Sequence, residues 1–159
     1  MKKIVIKKLS LVNFKGIRSL TIDFNEGVTT ISGRNGLGKT TIFDAFTWLL
    51  FGKDSKERKQ FGIKTYGKDG KTIPRLPHEV SGVLDVNGEK ITLTRRFSEK
   101  WQKKHGTTTE RMVGHEEERL YNDVPMSTDN WAEKIERICP EQVFKFITNP
   151  LYFASQKAD

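Results

Sequence analysis

Cysteine is nearly missing from this chain: Cys139 is the only one among 159 residues. That excludes a disulfide framework and any cysteine-based metal site. Lying between Ile138 and Pro140, it reads as a core residue at a helix junction. No apolar run approaches the ~18 residues of a membrane-spanning helix, and no signal peptide opens the sequence, so a cytoplasmic protein without a membrane partner is expected. Internal repeats and low-complexity tracts are lacking too. Acidic residues are in short supply, 20 Asp+Glu against 28 Lys+Arg, for a net charge of +8 and a pI near 9.6. Such a balance suits either a polyanionic partner, nucleic acid first, or a merely basic soluble surface. The length is that of one domain, residues 1–159, large enough for a proper core.

What is present is concentrated in Gly33-Arg34-Asn35-Gly36-Leu37-Gly38-Lys39-Thr40, which fits G-x-x-x-x-G-K-[ST], the phosphate-binding loop. Its glycines let the backbone curl until successive N–H groups point inward and form a nest for a β-phosphate. Lys39 then neutralises β- and γ-phosphate charge, and the Thr40 hydroxyl serves Mg²⁺. The context agrees. Val28–Ser32 is short and β-branched, as an entering strand should be. Lys39 to Phe51 reads as a helix apolar on nearly every face, hence buried, stopped by Gly52 and aiming its positive end at the phosphates.

Two strands are expected before this loop. The first lies within residues 3–14, with a basic break at Lys7-Lys8, and the second within 19–25, where Leu20, Ile22 and Phe24 alternate with polar residues. Lys15-Gly16-Ile17-Arg18 joins them as a hairpin. Residues 53–71 read as a solvated Lys/Gly-rich insertion with a short strand at 62–66. Val80, Gly82, Leu84 and Val86 share one strand face, Asn87-Gly88 is a strong hairpin turn, and Ile91, Leu93 and Phe97 face one side of the return strand. A further tight turn is expected at Asn122-Asp123. Ser127 or Thr128 caps a helix carrying Trp131, Ile135 and Ile138, and Pro140 opens another with Val143, Phe144 and Ile147. Leu151–Ser155 reads as extended. The fold class is α/β with α+β character: an antiparallel-rich sheet packed on a P-loop strand and its helix.

Leu11-Val12-Asn13-Phe14-Lys15-Gly16-Ile17, Ile22-Asp23-Phe24 and Ile31 through Phe46 together resemble the opening of the ABC-type ATPase heads of RecF, RecN, SbcC and structural-maintenance-of-chromosomes proteins. Asn35-Gly36 matches the family's G-x-N-G-x-G-K-[ST] loop, and Ile42-Phe43-Asp44-Ala45-Phe46 its following helix. Leu93–Phe97 is similar to the arginine-bearing strand of SbcC-like repair ATPases. The resemblance implies an ATP site in which Gly33, Arg34, Asn35, Gly36, Leu37, Gly38, Lys39, Thr40 and Thr41 surround phosphate, with Thr41 on the α-phosphate and Lys15 approaching the nucleotide. Gln156 matches the glutamine that completes the Mg²⁺ shell and positions water, although the family's Q-G pair is absent. Lys39 and Gln156 are thus the implied catalytic groups, Thr40 and Gln156 the implied metal ligands, and ATP and Mg²⁺ the cofactors.

The family's Asp-Glu strand and S-G-G signature do not occur after residue 52. The chain is therefore expected to be the N-terminal half of a head, pairing with a C-terminal lobe, a second head, DNA and a nuclease subunit. A self-contained GTPase or nucleotide kinase is the alternative. Asp85-Val86-Asn87-Gly88 matches D-x-x-G, but no N-K-x-D follows. A non-hydrolysing, nucleotide-gated DNA-binding module is the third reading. Lys90, Arg95, Arg96, Lys100, Trp101, Lys103, Lys104 and His105 interleave cations and aromatics, suiting either nucleic-acid contact or a solvated hairpin end beside the acidic run Glu116–Glu118.

Overall fold

The computed structural model describes residues 2–103, 105–106 and 108–149. Its frame is a six-stranded antiparallel sheet in the order β2-β1-β3-β4-β5-β6. The strands are β1 (Ile4–Phe14), β2 (Ile17–Asp23), β3 (His78–Val86), β4 (Glu89–Lys103), β5 (Glu110–Tyr121) and β6 (Val124–Pro125). Three connections are two-residue hairpin turns whose central residues both have positive φ: Lys15-Gly16, Asn87-Gly88 and Asn122-Asp123. Such turns match the right-handed twist of the strands they join, and Asn, Asp and Gly tolerate that backbone best.

One sheet face is apolar. Along β3, residues alternate buried and half-buried, so Val80, Leu84 and Val86 enter the core while Glu79, Ser81, Val83 and Asp85 look the other way. Leu9, Leu11 and Phe14 of β1 and Ile91 and Leu93 of β4 extend the same face. The basic pair Lys7-Lys8 does not break β1. It falls where the register against β3 shifts between Ile6 and Lys8, a bulge that absorbs the irregularity.

Helix α1 (Lys39–Phe51) lies on this face and buries Ala45, Trp48, Leu49 and Leu50, with the boundaries expected from sequence. Gly82 is where it comes closest: a Cβ there would stand 2.8 Å from Leu49 Cδ2. Gly52 ends the helix at φ 70°, its N–H donating to Trp48 O at 2.9 Å. Helix α2 (Thr128–Ile138) is capped by the Ser127 hydroxyl, which accepts from Asn130 N, and buries Trp131, Ile135 and Ile138 as its spacing predicts. Helix α3 (Glu141–Thr148) begins after Pro140 and turns in only Phe144, which packs against Phe43, Phe46 and Phe51 at ring separations of 6.2, 5.8 and 5.2 Å. Val143 and Ile147 stay exposed.

Three expectations are corrected. Val28–Ser32 is not a strand, because among the described residues no neighbouring strand pairs with it. A backbone of β-formers needs a ladder partner to become one. Residues 62–66 form no strand either, only the Tyr66–Thr72 bridge. The 53–71 stretch is not simply solvated. Asp54, Ile63 and Thr65 are buried, and Ile63 O and Thr65 Oγ1 bond the β1–β2 turn at Lys15 N (2.9 Å) and Asn13 O (3.1 Å). The return strand and its partner, whose far ends the sequence leaves open, form a long β4–β5 hairpin paired from Leu93–Tyr121 out to Lys103–Glu110. Leu151–Ser155 and Gln156 lie outside the described residues.

Candidate functional site

The phosphate loop hangs between β2 and α1. Gly36 (φ 86°) and Gly38 (φ 95°) take the left-handed backbone that a side chain resists. Gly38 also has the side chain of Ile17 close by: a Cβ would meet Ile17 Cδ1 at 3.4 Å. Gly38 is the N-cap of α1, without a side-chain cap, and the helix has no acidic residue in its first turn. An α-helix leaves its first four N–H groups unpaired and carries about half a positive charge at that end, so the arrangement favours an anion.

Asn35, Gly36, Gly38, Lys39, Thr40 and Thr41 line one concavity of about 390 Å³. Lys39 Nζ donates back to the carbonyls of Gly33 and Arg34, the latter at 3.0 Å. The ammonium thus closes the loop on itself with neutral acceptors that a phosphate can replace. Leu37, 71% exposed, projects away from the core. The lining consists of amides, hydroxyls and a cation, with no carboxylate, which is the donor set a polyphosphate requires. Among the described residues no group of three His, Cys, Asp or Glu side chains is placed to hold a metal. A divalent ion here would therefore depend on the Thr40 hydroxyl together with phosphate oxygens and water, the habit of Mg²⁺.

Lys15 joins α1 one turn beyond Thr40, where its ammonium pairs with Asp44 and lies 5.6 Å from the Phe61 ring centroid. Asp44 is buried and also accepts from Ser55 N (2.9 Å) and Ser55 Oγ. Burial pushes its carboxyl pKa up, but the hydrogen bonds from Lys15 and Ser55 outweigh that and hold it below the ordinary value. The sequence reading gave Asp44 no role. A lone acid in the middle of an otherwise apolar helix was the available signal. The turn bearing Lys15 is itself tied down: Asn13 O also accepts from Nδ1 of buried His78 at 2.5 Å.

The cationic run expected along β4 divides. Arg95 is buried, with Nη1 on Glu117 (2.6 Å) and Nε on Leu49 O (3.2 Å), so it is not available to nucleic acid. The hint lay in strand parity, since Arg95 follows Ile91 and Leu93 on the inward face. Arg96 is bridged to Glu79 of β3 (2.8 Å) and to Glu118 of the acidic run (2.7 Å). Trp101 stacks under the Arg75 guanidinium at 4.5 Å, and Glu99, with its pKa lowered to about 2 by Arg75 N and Lys64, pins residues 64–75 to β4. The D-x-x-G match is a hairpin device: Asp85 Oδ1 accepts from Gly88 N at 2.8 Å and closes the β3–β4 turn. That removes the best support for a self-contained GTPase.

An antiparallel sheet backed by a helix that springs from a phosphate loop defines a fold of the P-loop ATPase class. The chain belongs to the AAA domain family, which matches it over residues 8–159. It is 33% identical over 99 residues to the DNA repair protein RecN of Bacillus subtilis (strain 168), covering 59% of this chain and 17% of RecN. Two solved structures share the fold. The Smc head domain of Pyrococcus yayanosii, with a coiled coil and joint, superposes with a TM-score of 0.62 at 20% identity, covering 86% of this chain and 26% of that one. The recombination mediator RecF with ATP superposes with a TM-score of 0.58 at 16% identity, covering 85% and 31%. The likeness to RecF, RecN and Smc heads, read from residues along essentially the whole chain and densest in residues 9–51, is borne out, and the chain spans only a small part of the length of these relatives. No helix among the described residues is long and apolar enough to cross a membrane.

Proposed function

We propose that this chain is the ATP-binding N-terminal lobe of a cytoplasmic, DNA-associated ATPase head whose ATP binding and hydrolysis bring heads together on DNA. The observation that carries the reading is the concavity at the start of α1, built only of donors and one flexible cation. Support also comes from relatives named for DNA repair and from a solved neighbour, RecF, described with ATP.

In this reading the amides of Asn35–Thr40 hold the phosphate chain, Lys39 exchanges its carbonyl partners for phosphate oxygens, and Thr41 orders the α-phosphate side. Mg²⁺, when bound at Thr40, supplies charge neutralisation between the phosphates. Lys15, now on Asp44 one helical turn beyond Thr40, is assigned to the same charge. Gln156 is assigned to the metal shell and the attacking water. These groups recognise the ground state of ATP, whereas turnover requires contacts made only in the transition state. We assign those to a C-terminal lobe and a second head, and a nuclease subunit is a further candidate partner.

Val28–Ser32 supports an incoming lobe. It is β-competent and pairs with no strand among the described residues, and Val28 is 94% exposed. A strand added alongside would supply the backbone ladder that this segment lacks. The test is calorimetric titration with MgATP of the wild type and Lys39→Ala. Affinity should fall tenfold or more, about 1.4 kcal/mol per factor of ten. Equal affinities would mean that this loop is not the nucleotide site.

A further inference from the structure

The far end of α1 is held by groups that nucleotide binding does not call on. Gly52 already provides the helix with its C-terminal backbone cap, yet the carbonyls of Leu49 and Leu50 receive three more donors from two other elements. Arg95 of β4 gives Nε to Leu49 O at 3.2 Å and Nη2 to Leu50 O at 3.4 Å, and Trp131 of α2 gives Nε1 to Leu50 O at 3.1 Å. The guanidinium is flanked by the rings of Trp48 and Trp131 at 5.6 and 5.5 Å, and Glu117 of β5 balances its charge at 2.6 Å. Glu117 also pairs with Arg119 at 2.8 Å. The last turn of α1 contains no basic residue of its own, so Arg95 is the cation that complements the negative end of this helix. Gly52 makes room for it, because a Cβ there would lie 2.7 Å from Arg95 Nη1.

We propose that Arg95 is a positioning residue for the phosphate loop: by clamping the last turn of α1 it sets where the same helix presents Lys39, Thr40 and Thr41 at its other end. The proposal rests on the nucleotide reading above for its functional consequence, but its mechanical part stands on the helix alone. Thirteen residues of α-helix make a rod of roughly 20 Å that transmits a displacement of one end to the other with little compression. At the N-terminal end the contacts are with the β1–β2 turn, through Lys15–Asp44 and Ile17 beside Gly38. Toward the C-terminal end they are with β3 through Leu49 at Gly82, with α3 through Phe51 and Phe144, and with β4 and α2 through the carbonyls of Leu49 and Leu50, Glu117 of β5 reaching the helix through Arg95. Arg95 thereby links the long β4–β5 hairpin to the phosphate loop through a single bonded path, Glu117 to Arg95 to Leu49.

Three variants of the 159-residue chain test this: Arg95→Met, Gly52→Ala, and Val86→Ala as a core control remote from the clamp. Global stabilities are matched with urea, and hydrogen exchange is followed at the amides of residues 36–41 without nucleotide. Arg95→Met and Gly52→Ala should exchange at the loop at least about fivefold faster than Val86→Ala, the lower end of ordinary coupling between sites. Gly52→Ala keeps the buried cation but loosens the last turn in two ways, by crowding the guanidinium and by straining the cap at φ 70°, so it reports on the helix end as a whole even if Arg95→Met folds poorly, while Arg95→Met, with the glycine cap intact, isolates the clamp. Coincident loop exchange in all three variants would overturn the proposal and leave Arg95 a core residue like any other. MgATP titration of the same set, with Lys39→Ala alongside, judges the nucleotide reading separately. Affinities in the two clamp variants should be roughly fivefold weaker than in the control, whereas no difference between wild type and Lys39→Ala would refute nucleotide binding without touching the exchange result.

Discussion

Replacing Asp44 with Asn tests how the first turns of α1 are secured. The substitution keeps shape and one carbonyl oxygen, so Ser55 N retains an acceptor, but it removes the charge that Lys15 answers. Breaking a fully buried ion pair costs ~3–5 kcal/mol. Lys15 is 25% exposed on its side chain and can retreat to water, which lowers the expected loss. A charge-assisted hydrogen bond of about 1.5–3 kcal/mol is then the appropriate scale, giving about 2 kcal/mol for Asp44→Asn. For a chain of this size that corresponds to a melting temperature about 4–8 °C lower.

The pH dependence gives the sign. The folded-state pKa of Asp44 lies below its ordinary value of 3.8, so its contribution is complete above that value and disappears as pH falls through the folded pKa. Wild type and Asp44→Asn should therefore differ at neutral pH and converge as the pH falls below 3.8 and through the folded-state pKa. Glu99 also titrates low, at about 2, but it is common to both proteins and cancels in the difference. The assay is thermal unfolding of both proteins across this range. Equal melting temperatures at neutral pH, or a gap that persists undiminished in acid, would refute the assignment of Asp44 as a charged anchor.

Gly82→Ala should destabilise the fold by about 1–3 kcal/mol in urea unfolding, because the added Cβ would meet the fully buried Leu49 at 2.8 Å and push α1 off the sheet. An unchanged midpoint would show that α1 rides higher than described. With Arg95 and Arg96 engaged near the base of the β4–β5 hairpin, Lys103→Glu with Lys104→Glu should flatten the salt dependence of duplex-DNA binding if the outer end, where Lys103 pairs with Glu110, contacts phosphate. An identical slope in the double variant would clear the hairpin end of that role.

Local structure was legible in the sequence wherever a few adjacent residues decide it. The bounds of α1 follow from Gly38, Gly52 and the apolar run between them, the turns from Lys15-Gly16, Asn87-Gly88 and Asn122-Asp123, and α2 from Ser127 and the spacing of Trp131, Ile135 and Ile138. The phosphate loop was equally plain, since its chemistry lies in backbone curvature and in Lys39, Thr40 and Thr41, all within one short stretch. What the tertiary structure alone decided depends on partners far away in the chain. Val28–Ser32 has strand-forming residues but, among the described residues, no strand beside it, and a β-ladder cannot be completed by one segment. Arg95 looked like surface charge until its partners were in place: Glu117 lies 22 positions later and Leu49 46 positions earlier. Asp44 likewise takes its meaning from Lys15, 29 positions before it, and from Ser55, 11 after. A charge is buried only when counter-ions and hydrogen bonds converge on it from several elements, and that convergence is set by packing rather than by any local run of residues.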